Sequence, residues 1–125
     1  MGRIYRPFVV GKTKFHCLFD SGARNTFVTP TVAAKLTRQR LARPHRSALG
    51  GKVSRITEGC VLAGTVEKRP IETWALVIPS IGKDEMGREI EVLFGAIAMQ
   101  QWSIRLLPDE ERLDMSHYPT TFVEF

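Results

Sequence analysis

Cysteine is nearly absent. Cys17 and Cys60 are the two in 125 residues, and neither belongs to a Cys-x-x-Cys or Cys/His cluster, which argues against a metal site. Both fall within apolar, strand-like runs; a disulfide between them is the alternative, and the lack of a secretory leader favours two buried thiols. Long apolar runs are missing as well. The longest, Val92–Met99, is interrupted by Gly95 and falls far short of the ~20 residues that cross a bilayer. Met1–Arg6 (MGRIYR) has neither the apolar core nor the cleavage site of a secretory leader. These absences lead us to expect a cytoplasmic protein with no membrane partner. No aromatic residue stands between Phe27 and Trp74. The basic stretch Arg38, Arg40, Arg43, His45, Arg46, Lys52 and Arg55, which carries much of the net charge of +5, therefore has no rings on which bases could stack. It reads as a solvated basic surface, with a nucleic-acid-binding β-barrel as a rival reading. His16, His45 and His117 are scattered, with no Asp or Cys at ligand or triad spacing, so no metal is expected.

What is present describes one soluble domain spanning residues 1–125. Its 43% hydrophobic and 25% charged residues suit a globular chain with a single modest core. Tyr5–Val10 and Lys14–Phe19 flank Gly11-Lys12 as a tight hairpin. Thr26–Val28 reads as a short strand. Thr29-Pro30 then offers a cap and a first-turn proline for a helix over Thr31–Leu36. Thr37–Pro44 is polar and basic, a surface connection. Gly50-Gly51 between the extended segments of Ser47–Ile56 is a mobile hairpin tip. Gly59–Glu67, Ile71–Ile78 and Ile90–Phe94 are strands, with a loop over Pro79–Arg88. Ala96–Gln101 is a short helix, Ser103–Leu107 and Arg112–Met115 a final hairpin, and Thr120–Phe125 one further weak strand. Short strands with glycine and proline punctuation predict an all-β domain, closed or sandwiched.

The chemistry concentrates in Leu18-Phe19-Asp20-Ser21-Gly22-Ala23. An acid ends an apolar strand and would be carried out of the core to the floor of a cleft. Ser21 can hydrogen-bond its carboxylate, and Gly22 lets backbone N–H groups approach without a side chain in the way. Alone, this pattern is also that of an Asx-turn at a strand end.

Three pieces in register decide the reading. Leu18–Val28 (LFDSGARNTFV), Gly50-Gly51, and Leu93-Phe94-Gly95 before Ala96–Gln101 together resemble the retropepsin-like aspartic proteases, over residues 6–115. The resemblance implies a closed acid-protease barrel with a flap hairpin and one or two short helices, acting as a homodimer on peptide or protein substrates. It implies Asp20 as the catalytic acid, one from each subunit, activating a water without any cofactor. It further implies active-loop support from Ser21, Gly22 and Ala23, and a flap at Leu49, Gly50, Gly51 and Lys52. Substrate contacts would fall at Arg24, Asn25, Phe27, Val28, Val53, Leu93 and Ile97, with a dimer strand in the tail at 116–125. The sequence departs from the retroviral pattern where Arg24 and Ala96 replace an acid and an arginine that brace the dimer, and where Ile97 replaces a polar residue. That points to a cellular or prokaryotic type. The rival within this fold is a catalytically inactive dimer that serves as a protein-binding module.

Overall fold

The computed structural model describes residues 3–124. Met1, Gly2 and Phe125, the last residue of the expected tail strand, lie outside them. Strand β1 (Arg3–Val10) turns at Gly11-Lys12 into β2 (Thr13–Asp20), and the two pair from Arg3 opposite Asp20 to Val10 opposite Thr13. β3 (Phe27–Val28) leads into a single-turn helix α1 (Pro30–Ala33). The long strands β4 (Arg38–Leu49) and β5 (Lys52–Val66) form a hairpin, and β6 (Arg69–Val77) pairs back on β5. β7 (Val92–Phe94), helix α2 (Ala96–Gln101), and the small β8 (Arg105–Leu107) and β9 (Arg112–Asp114) hairpin complete the chain. The main sheet runs β1-β2-β7-β3-β6-β5-β4. β1 also meets β5 at Val9 opposite Thr65, and this contact closes the sheet into a barrel. The fold is all-β, as expected.

Closure depends on one glycine. A Cβ on Gly64 would strike the carbonyl oxygen of Val9 and the ring of Phe8, so the two backbones approach this closely only because residue 64 has no side chain.

β2 explains how the acid reaches the surface. Phe15, Cys17 and Phe19 point to the main core, where Phe19 and Phe8 meet the ring of Phe94 at centroid distances of 5.0 and 6.2 Å. Leu18, on the opposite face, joins a second cluster with Phe27, Ile56, Leu76, Ile78, Ile90 and Leu93. The end of the strand is therefore buried on both faces, which is why Cys17-Leu18-Phe19 reads as a continuous apolar run, and Asp20 is the first residue beyond that shelter. Burial also pushes the thiols of Cys17 and Cys60 up in pKa, consistent with inert core residues. No helix among the described residues is long and apolar enough to cross a membrane.

Three expectations need correction. The stretch from Thr37 to Pro44 is no surface connection: from Arg38 onward it belongs to β4, with a register irregularity between Arg40 and His45. β4 is the terminal strand of the sheet and mostly exposed on both faces, so it carries no alternating apolar pattern to betray it. Pro44, lacking an N–H, is tolerated on such an edge. The first helix is shorter than Thr31–Leu36, ending at Ala33. Thr29 caps it through its backbone carbonyl alone, and its buried hydroxyl makes no hydrogen bond. Finally, the described residues from Thr120 to Glu124 form no strand. The tail spends its side chains on Trp102 instead: Tyr118 stacks on that indole at 5.7 Å and Phe122 meets it edge-on at 5.6 Å.

Candidate active site

The loop after β2 is built around Asp20. Its Oδ1 accepts a hydrogen bond from Gly22 N at 2.8 Å, and its carbonyl oxygen accepts one from Ala23 N at 3.2 Å. These bonds curl residues 20–23 back on themselves and aim the carboxylate out of the strand. The carboxylate is only 16% exposed. Asp20 forms part of a cleft of about 320 Å³ whose other walls are Gly22, Ala23, Arg24, Asn25 and Phe27, with Ser47–Gly50 from the β4–β5 hairpin. The hairpin turn is Gly50-Gly51, with φ of +57° and +80°, the left-handed pair that a two-residue turn between twisted strands requires. A larger cavity of about 730 Å³ touches the loop only at Ser21 and runs along α2 and β8 to His117. Among the described residues no carboxylate lines it, so the smaller cleft is where the acid could do chemistry.

The loop is locked from behind by the start of α2. Ala96 N donates to Ala23 O at 2.7 Å and Ile97 N donates to Arg24 O at 3.1 Å. Buried Thr26 accepts a hydrogen bond from Gly95 N on its Oγ1 at 3.1 Å. A Cβ on Gly95 would strike the backbone of Asn25, which accounts for the glycine ahead of the helix.

The remaining candidates divide by place. Arg24, Asn25, Phe27, Leu49 and Gly50 come together on the cleft with Asp20, Gly22 and Ala23. Ser21 is exposed at the loop tip, and Gly51 and Lys52 are exposed at the hairpin turn. Val53 and Ile97 are about half exposed, at 53% and 49%. Val28 and Leu93 lie inside the two core clusters, away from the cleft wall.

Two features escaped sequence reasoning. Arg3, opposite Asp20 in the β1–β2 register, brings its Nε to 3.7 Å from Asp20 Oδ2. The register of the Gly11 turn was the signal that could have found it. The second feature anchors the loop that follows β6. His16 Nε2 lies 2.8 Å from Asp84 Oδ2, while Asp84 Oδ1 accepts from the N–H groups of Met86 and Arg88, and Tyr5 stacks on the His16 ring at 5.0 Å. The bond from Arg88 N, supported by those from His16 and Met86, holds the Asp84 carboxyl below the usual carboxylate range.

No family model matches the sequence, and no curated protein matches it. Among solved structures, the retroviral protease-like domain of Ddi1 from Leishmania major aligns over 94% of this chain and 93% of that domain, with a TM-score of 0.63 at 14% identity. The fold is retropepsin-like. Two foamy viral protease-reverse transcriptases agree: one in complex with an RNA/DNA hybrid matches 84% of this chain at a TM-score of 0.57 and 14% identity. The other, in complex with double-stranded DNA, matches 83% at 0.54 and 16%. This chain spans only 12% and 16% of those two viral chains, but nearly the full length of the Leishmania domain. At such identities the likeness is one of fold.

Proposed function

We propose that this chain is an aspartic endopeptidase that works as a homodimer, with Asp20 of each subunit meeting across a two-fold axis. The observation that carries this reading is the seat of Asp20: a carboxylate at the end of a doubly buried strand, held by the Gly22 N–H, in the wall of a cleft bordered by a glycine-tipped hairpin. The retropepsin-like fold supports it. A second copy is required because no other acid stands in an Asp-(Ser/Thr)-Gly loop: Asp84, Asp109 and Asp114 are followed by Glu, Glu and Met.

Two carboxylates in contact cannot both ionise cheaply, so the pair shares one proton. The ionised member takes a proton from the water between them as the water oxygen attacks the scissile carbonyl carbon. The protonated member gives its proton to the carbonyl oxygen. Collapse of the resulting diol returns a proton to the departing nitrogen and breaks the C–N bond. The hairpin at Leu49–Lys52 acts as the flap, closing over an extended peptide held by backbone hydrogen bonds. Arg24, Asn25 and Phe27 meet its side chains, with Val53 and Ile97 at the edges. Arg3–Tyr5 and the tail, where Phe122 and Val123 are exposed, form the subunit contact.

The test is cleavage of a diverse peptide library between pH 3 and 7 at several protein concentrations, wild type against Asp20→Asn. Specific activity that rises with concentration and vanishes in the variant is the expected result, because a monomer holds half a site. Cleavage that survives in Asp20→Asn, or none at any pH from a protein that is dimeric in solution, overturns the reading.

A further inference from the structure

The charge of this protein is concentrated on one element. Between Arg38 and Glu58 the β4–β5 hairpin carries Arg38, Arg40, Arg43, Arg46, Lys52 and Arg55 against the single acid Glu58, which accounts for the whole net charge of +5 and leaves the rest of the chain balanced. Arg38 is paired with Glu58 at 3.1 Å. Among the described residues no carboxylate pairs with the other five, and all five are exposed. Arg46 stands directly opposite Arg55 in the ladder, an arrangement that destabilises a strand pair unless something anionic neutralises it. Charges that merely protect a sheet edge from aggregation are needed on β4 alone. They do not require a second arginine facing the first from inside the sheet.

The patch continues into the cleft. Ser47, immediately after Arg46, through Gly50 line it together with Asp20 and a further exposed cation, Arg24. β4 is also the terminal strand of the sheet, so its outer edge offers backbone groups to an extended chain. We infer that the hairpin selects acidic polypeptide: substrates carry Asp or Glu on the residues flanking the bond cleaved at Asp20. This deepens the protease reading and rests on it. A polypeptide suits the site better than a nucleic acid, because the hairpin itself carries no Phe, Tyr or Trp for base stacking and the one exposed indole against it, Trp74, lies over Gly59 on β5 beyond the residues that line the cleft, whereas an edge strand beside a carboxylate cleft suits an extended peptide.

The experiment uses three peptides with one common central sequence, flanked by Glu, by Gln or by Lys. Their kcat/KM with the wild-type protein is measured at low and high salt, and their binding to Asp20→Asn protein by fluorescence anisotropy. One exposed ion pair is worth a factor of about 1.5–5, so several acting together favour the Glu-flanked over the Gln-flanked peptide by ~10-fold or more. The preference shrinks at high salt, and Arg46→Glu with Arg55→Glu moves the ratio toward the Lys-flanked peptide. Equal binding and equal cleavage of the three peptides overturns the inference. So does displacement of the Glu-flanked peptide by a random single-stranded oligonucleotide at lower concentration than by itself, which assigns the patch to nucleic acid. Acid-selective binding without any cleavage sinks the protease reading while upholding the recognition.

Discussion

Removing the hydroxyl of Thr26 isolates the one side-chain hydrogen bond among the three that lock the active loop to the start of α2. Thr26 is 3% exposed, and its Oγ1 accepts the hydrogen bond of the buried Gly95 N–H at 3.1 Å. Valine has nearly the shape of threonine, so Thr26→Val leaves packing almost unchanged while stranding a buried donor. An unsatisfied buried N–H costs about 1–3 kcal/mol. Thr26→Ser keeps the acceptor and loses one methyl, about 0.8 kcal/mol of burial plus a small cavity contribution. The assay is urea unfolding followed by the fluorescence of Trp74 and Trp102, at one protein concentration because dimerisation would add to apparent stability. With a slope of about 1.5–2 kcal/mol/M, Thr26→Val lowers the midpoint by roughly 0.5–2 M at unchanged slope, and Thr26→Ser by less. The Gly95 amide, followed by hydrogen exchange, loses protection only in the valine variant. A valine variant that unfolds at the wild-type midpoint, or a serine variant that is the weaker of the two, refutes the reasoning. Either would mean that methyl packing, and not the hydrogen bond, is what Thr26 adds to the backbone bonds from Ala96 and Ile97.

Gly64→Ala should destabilise the barrel by about 1–3 kcal/mol, because the added methyl meets backbone on β1 and not a yielding side-chain tip; a thermal midpoint equal to wild type would show that β1 and β5 can separate at no cost. The anchor at Asp84 should be sensitive to acid. A carboxyl held below its unfolded pKa of about 3.9 contributes stability that is fully present above that value and is lost as pH falls through the lower folded one. The loop from Pro79 to Glu89 is therefore held at neutral pH and released below about pH 4, and Asp84→Asn loosens it at every pH. Limited proteolysis at Met86–Arg88, with an acid-active protease at the low end, checks this; equal cleavage rates for variant and wild type at pH 7 would count against the anchor.

Local sequence determined a good deal here. The Gly11-Lys12 and Gly50-Gly51 turns, the strand into Asp20, the loop at Pro79–Arg88 and helix Ala96–Gln101 each rest on signals within a few residues: a left-handed turn, an apolar run, a glycine ahead of a helix. The Asp20 loop was legible for the same reason, since the bond from Gly22 N to its carboxylate spans two residues. Two kinds of feature were not legible. β4 escaped because strand patterns record burial, and a hairpin exposed on both faces buries too little to leave a pattern. The tail's conformation was not legible: Phe122 and Val123 are apolar enough for a strand, yet Phe122, like Tyr118 ahead of it, finds Trp102, whose position only the folded chain provides. Arg3 beside Asp20, Thr26 under Gly95 and Gly64 against Val9 are pairings 17, 69 and 55 residues apart. No periodicity links such partners. They meet because the sheet closes and because its register brings them opposite one another, so the acid and its loop belong to the sequence, while what holds them in place belongs to the tertiary structure.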